Sequence, residues 1–257
     1  MDPMNEPVSG RPDPVMEPEN RELLKRAVSF PPDFASRKIE AFPKEEFETL
    51  RQFSLEEYWC GSESINIFEV VGTKHWDYQE MTWLELLKGG KKMRANLPLL
   101  DLNPDYYLEA KGKEPPMSFI KLDGRLYIDK DGHHRTCIAK FFFYYQGRTH
   151  LHGAELVEYR IDRTMHHLYT EIEASLEEKG LTHLRVNPYQ KILGREDTAG
   201  WKRDYFEVGL SITRRGTSET VRLVKAEEAS VFLRTIQRLN RFNRIWIGGP
   251  YARLLRG

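Results

Sequence analysis

The spacing of apolar positions along this chain changes several times, and each change marks an element. Helical spacing covers residues 19–27 and, after Pro43, residues 44–53. The β-branched run I-N-I-F-E-V-V, 65–71, predicts a strand. Thr82 stands where it can cap W-L-E-L-L-K, and Gly89-Gly90 closes that helix. Residues 101–116 predict a loop with a short helical piece. After them S-F-I-K-L-D-G-R-L-Y-I forms a hairpin around Asp123-Gly124. A helix is predicted over 136–145, stopped by Gly147, and a strand over 156–162. Further on come a helix over 165–179 capped by Gly180, a polar loop with Pro188, Gly194 and Gly200, and an alternating strand carrying Phe206, Val208, Leu210 and Ile212. Arg214-Arg215-Gly216-Thr217 turns the chain back into T-V-R-L-V. An amphipathic helix over 226–241 buries Ala229, Phe232, Leu233, Ile236 and Leu239. Segregated strands and helices of this kind predict an α+β fold.

Composition narrows the picture. A chain of 257 residues with 40% hydrophobic content can bury one large core or two small ones. Residues 1–20 hold five prolines and almost no large apolar side chains, so they are expected to form a disordered tail. With that tail set aside, one domain is expected over 21–163 and a C-terminal α+β region over 164–257, the soft boundary falling near 163–166. Two cysteines, Cys60 and Cys137, make no disulfide framework and point to a reduced, cytoplasmic setting. No apolar run reaches the roughly 20 residues of a membrane span, and the acidic, proline-bearing start is unlike a signal peptide.

Charge is balanced overall and uneven along the chain. Residues 1–64 carry about 14 acids to 8 bases and residues 201–257 about 12 bases to 5 acids, a difference of about −6 at one end and +7 at the other. Arg214, Arg215, Arg234, Arg238, Arg241 and Arg244 make the basic surface that can track a phosphate backbone; the alternative is a solvated face paired with Glu227 and Glu228.

The densest chemistry lies in Y-I-D-K-D-G-H-H-R-T-C-I-A-K-F, residues 127–141. A strand here runs through a glycine into a helix. A helix N-terminus presents unpaired N–H groups and partial positive charge, Gly132 lets the backbone approach a ligand, and Arg135 can pair bidentately with phosphate. Strand, Gly132, Arg135 and Thr136 together describe an anion site. Asp129 and Asp131 can hold a divalent ion such as Mg2+, and His133 or His134 can serve as general base to an attacking water. Asp131, His133, His134 and Arg135 are thus the candidate catalytic set. The bland alternative is a helix cap, with Arg135 paired to a local acid and the histidines solvated. His150 and His152, two apart on a strand, have metal-ligand spacing or are surface histidines near a turn. The aromatic run 141–145 fits a core better than a base-stacking surface.

The pattern apolar–Asp–Gly–x–His–Arg, with small and apolar residues behind it, resembles the signature of the ParB/sulfiredoxin superfamily over residues 117–162. The resemblance implies a ParB/sulfiredoxin-like core with an additional C-terminal α+β region. It implies a nucleotide, ATP or CTP, whose phosphate lies on Gly132, Arg135 and Thr136. His133 stands where sulfiredoxins have their catalytic cysteine, and Cys137 does not restore it, which argues against peroxiredoxin repair. Gly132-His133-His134-Arg135 also departs from the Gly-Glu-Arg-Arg of partition proteins, and no helix-turn-helix is evident. The similarity therefore points to divergent ParB-like nucleases or NTPases, some of which act as plasmid fertility-inhibition proteins. The expected function is NTP hydrolysis, DNA cleavage or both, with inhibition of DNA transfer. The alternative is a non-catalytic adaptor that keeps the fold and binds DNA or a protein component of a DNA-transfer system.

Overall fold

The computed structural model describes residues 22–239 and 248–255. The fold is α+β. Among the described residues its nine strands are β1 (Glu40–Ala41), β2 (Ser54–Asn66), β3 (Val70–Thr73), β4 (Ser118–Leu122), β5 (Arg125–Ile128), β6 (His150–Ile161), β7 (Leu184–Thr198), β8 (Trp201–Arg214) and β9 (Thr220–Leu223). They form one sheet in the order β1-β3-β5-β4-β6-β2-β8-β7, with β9 also pairing with β8. β1, β3 and β5 are mutually parallel, so their carboxyl ends meet at one edge.

Alternation along the strands divides the apolar residues between two cores. On β4 and β5, Phe119, Leu126 and Ile128 enter the first core, and Ile120, Leu122 and Tyr127 the second. The first core is closed by α1 (Glu22–Ser29), α3 (Trp83–Gly89), α4 (Met93–Leu102) and α6 (His133–Gln146), with the short α5 (Asp105–Leu108) beside them. The second is closed by α2 (Lys44–Leu50), α7 (Arg163–Glu178), α8 (Ala226–Gln237) and the short α9 (Ala252–Leu255).

Local signals account for several of these elements. Thr82 and Glu85 form a reciprocal capping box at α3, with Glu85 N–H to Thr82 Oγ1 at 3.1 Å and Thr82 N–H to Glu85 Oε2 at 2.7 Å. Asp162 caps α7 by accepting from Met165 N–H at 2.8 Å. Asp123 and Gly124, with φ of 48° and 81°, form the two-residue turn between β4 and β5. At Gly72 a Cβ would lie 2.2 Å from the Glu40 carbonyl oxygen, so only glycine admits β1 at this spacing.

Two expectations are corrected. The strand expected over 65–71 is the end of the long β2, a 3-10 turn over Ile67–Glu69, and the short β3. The loop expected around Pro188 and Gly194 is β7, paired along its length with β8. Helix α4 carries Pro98 inside a segment with no helix forecast before residue 101. β8 pairs with β2, so strands from both sides of residues 163–166 lie in one sheet. The tail at 1–20, the last residues of the 226–241 helix, Arg241 and Arg244 lie outside the described residues. No helix among the described residues is long and apolar enough to cross a membrane.

Candidate functional site

The segment D-K-D-G-H-H-R leaves β5 at the edge where the parallel strands end, and its side chains go to three places. Ser118 Oγ fixes the loop by accepting from the N–H groups of Lys130 and Asp131, both at 3.0 Å. Gly132 is the N-cap of α6 with φ of 101°, and a Cβ there would press on Met117 at 3.2 Å.

Asp131 and Arg135 form the first destination. Asp131 accepts from the Gly132 N–H at 2.6 Å and from Arg135 Nη2 at 2.8 Å. Burial works against its ionisation, but the Arg135 and Gly132 hydrogen bonds prevail and hold its pKa below the ordinary aspartate value. Arg135 also donates to the Tyr106 hydroxyl at 2.8 Å and to the Pro115 carbonyl, and its side chain is only 11% exposed. The guanidinium expected to fork onto phosphate is therefore engaged within the fold, paired to a local acid. It lines a small cavity of about 170 Å³ with Asn96, Leu99 and Tyr106.

His133 and His134 form the second destination, on the first-core face. Both are buried rather than solvated. Their rings pack with His75 and Tyr78: His75 to His133 at 5.1 Å between centroids, Tyr78 to His133 at 5.7 Å, and Tyr78 to His134 at 5.0 Å. His134 Nε2 accepts from the Lys92 N–H at 3.2 Å. His133 Nε2 and Thr136 Oγ1 are buried without a hydrogen-bond partner among the described residues. Burial pushes both histidine pKa values down to about 4, helped at His133 by His75 and at His134 by Lys92. Both imidazoles are neutral at pH 7, and a base so weak has little proton affinity to offer an attacking water.

Nearly two turns past the two histidines on α6 lies Lys140, which sequence reasoning missed. It is 1% exposed and donates to the carbonyls of Ile67 and Val70 at 3.0 and 2.9 Å. Its ammonium stands 4.5 Å over Trp83 and 5.3 Å over Phe34. Burial lowers its pKa to about 7. Lys140 ties the 3-10 turn between β2 and β3 to the motif helix.

Asp129 and Lys130 form the third destination, a groove of about 950 Å³. Its floor is Ile120, Val157 and Tyr159 of the sheet's second face, and Phe42 and Phe47 wall one side. Lys44, Lys74, Arg51, Trp76 and Gln79 also line it. Lys74 pairs with Asp129 at 2.6 Å and stands 4.7 Å over the Phe42 ring. Asp129 and Asp131 thus hold separate cationic partners, and an ion bridging them would have to displace both. Among the described residues no group of three or more His, Cys, Asp or Glu is arranged to hold a metal.

The remaining predicted residues lie elsewhere. His150 and His152 hydrogen-bond to Thr149 and Ser64 on β6 and at its start. Arg214 reaches the Arg253 carbonyl at 3.4 Å, Arg215 is exposed at the β8–β9 turn, and Arg234 is exposed on α8 with Arg238 as its C-cap. Of the aromatic run 141–145, Phe141 and Phe143 are core residues, Phe142 and Tyr145 are half-buried and Tyr144 is exposed. The residues that sequence reasoning passed over, Lys74, His75, Trp76 and Tyr78, follow a β-branched strand directly. That strand-to-polar-aromatic step is the same signal that drew attention to 127–141. No family model matches this chain, and neither a curated protein nor a solved structure matches it.

Proposed function

We propose that this chain binds a nucleotide in the groove at the carboxyl ends of β1, β3 and β5. The observation that carries the proposal is the groove itself. In sheets with parallel strands, ligands bind beyond the carboxyl ends, where loops supply the polar contacts. Here those loops supply Lys44, Lys74 and Lys130 over an apolar, aromatic floor. Three of the four lining acids are matched: Asp129 with Lys74, Glu46 with Arg163 at 2.8 Å, and Glu48 with Arg51 at 4.0 Å. Among the described residues Lys44 and Lys130 make no ion pair, which leaves both ammonium groups able to meet an anionic ligand. The resemblance of residues 117–162 also implies a nucleotide, but on Gly132, Arg135 and Thr136, none of which lines this groove.

Hydrolysis has less support, because the neutral buried histidines and the engaged Arg135 offer no activated base and no free fork. A magnesium ion would enter with the ligand's phosphates, near Asp129. The test is calorimetric titration of ATP and CTP, with and without magnesium, into the wild type and Lys130→Ala. Binding to the wild type that weakens about tenfold or more in the variant is expected, the size of one charged hydrogen bond. No heat from either nucleotide in the wild type would overturn the proposal.

A further inference from the structure

Trp76 is 78% exposed and lines the groove. Among the described residues it is the one large, strongly exposed apolar side chain that does so. Its position is held firmly. It begins a 3-10 turn over Trp76–Tyr78 that follows β3 directly. His75 caps that turn by accepting from the Asp77 N–H at 3.3 Å, and Lys91 pairs with Asp77. The imidazole of His75 lies nearly parallel to the indole, 19° apart with centroids at 6.3 Å, and Lys91 stands 5.8 Å from the ring. With so much of the indole still open, these contacts orient it without covering it. An aromatic plate held this way can receive a planar ring with little further loss of freedom.

We infer that Trp76 is the stacking residue of the groove, and that its ligand is a base-bearing phosphate compound whose ring lies on the indole while its phosphates reach Lys130 and Lys44. This rests on nucleotide binding as proposed above. Stacking on an aromatic side chain tolerates any base, because every base has a π-face. Trp76 therefore gives affinity for nucleotides over bare phosphates, and little choice between ATP and CTP.

The experiment compares ATP, CTP and inorganic tripolyphosphate by calorimetry on the full chain as wild type, Trp76→Ala and Trp76→Phe. In the wild type, ATP and CTP are expected to bind about tenfold or more tightly than tripolyphosphate. Trp76→Ala is expected to bring both nucleotides to the tripolyphosphate level, and Trp76→Phe to restore much of the difference. The indole is exposed, so both variants should keep the wild-type circular dichroism and melting temperature. Tripolyphosphate bound as tightly as ATP, or ATP bound equally by wild type and Trp76→Ala, would overturn the stacking role and leave a phosphate groove standing. Absence of binding by all three ligands would overturn the nucleotide proposal and the stacking role together.

Discussion

At the carboxyl ends of β1, β3 and β5 the two faces of the sheet differ sharply. On one face the first turns of α6 hold His133, His134, Thr136 and Lys140, all buried. On the other face a groove of about 950 Å³ stands open over Ile120, Val157 and Tyr159. The residues most suggestive by type are packed into the closed face, and the surface able to take a ligand lies on the open one. Side chains adjacent in sequence are separated by the sheet: Asp129 and Lys130 serve the groove, while His133 and His134 close a core. Residue type at a strand-to-helix joint thus identifies chemistry that the fold must satisfy, and packing decides whether a ligand or the protein itself satisfies it.

The largest expected effect tests whether the closed face is structural. Lys140→Ala removes a buried side chain and leaves the Ile67 and Val70 carbonyls without their donor, so it should destabilise the fold by about 3–5 kcal/mol. The pH dependence has a definite sign. The folded pKa is lowered to about 7 from an ordinary 10.5. Between those values the unfolded chain holds a proton that the folded chain has released, so stability rises with pH across that window and is lost as pH falls through 7. Denaturant titrations of wild type at pH 7 and pH 9.5 should show that rise, and the variant should lack it. A stability change below 1 kcal/mol would remove Lys140 from the structural account.

Much of this contrast could be read in the sequence, and some could not. Asp123-Gly124 and Thr82 with Glu85 are local signals, satisfied by residues within a few positions, so they were legible. β7 was not, because most of Arg185–Thr198 is exposed or half-exposed and its order comes from pairing with β8 rather than from burial. β2 was obscured similarly: both of its faces are half-covered over 55–59, which erases alternation. Pro98 masked α4 by removing a donor from an otherwise helical segment. At the site, Gly132 and the helix start behind it were legible. The partners were not, since His75, Tyr78, Lys92 and Tyr106 reach the motif from 29 to 58 residues away only once the chain is folded.

A middle-sized effect separates buried from solvated histidines. The folded pKa of His134 is depressed to about 4 from 6.5, chiefly by burial and then by Lys92. Its neutral form supports the fold above pH 6.5, and that support is lost as pH falls toward 4. His134→Gln keeps an acceptor for the Lys92 N–H and removes the titration. Between pH 6.5 and pH 4 the wild type should lose up to about 3 kcal/mol more than the variant, measured by denaturant unfolding at each pH. Parallel profiles for the two proteins would mean that His134 titrates like a solvated side chain.

The smallest effect sharpens the comparison most, because it sets stability against binding in a single residue. If Arg135 held a phosphate, Arg135→Ala would abolish ligand binding and change stability little. The geometry gives the opposite expectation. Arg135 donates to Tyr106 and Pro115 and pairs with Asp131, and these contacts lie away from the groove residues. Its removal breaks the Asp131 ion pair and the contacts with Tyr106 and Pro115, while the Gly132 N–H still serves Asp131 and the Tyr106 hydroxyl still serves the Pro115 carbonyl, a loss of about 1–2 kcal/mol. Nucleotide affinity should stay within about twofold of wild type, while Lys130→Ala shows the reverse pattern of unchanged melting and weakened binding. Calorimetry and thermal melts on the two variants decide between these patterns. Loss of nucleotide binding in Arg135→Ala, with its melting temperature intact, would place the ligand on the motif turn and make the open groove a bystander.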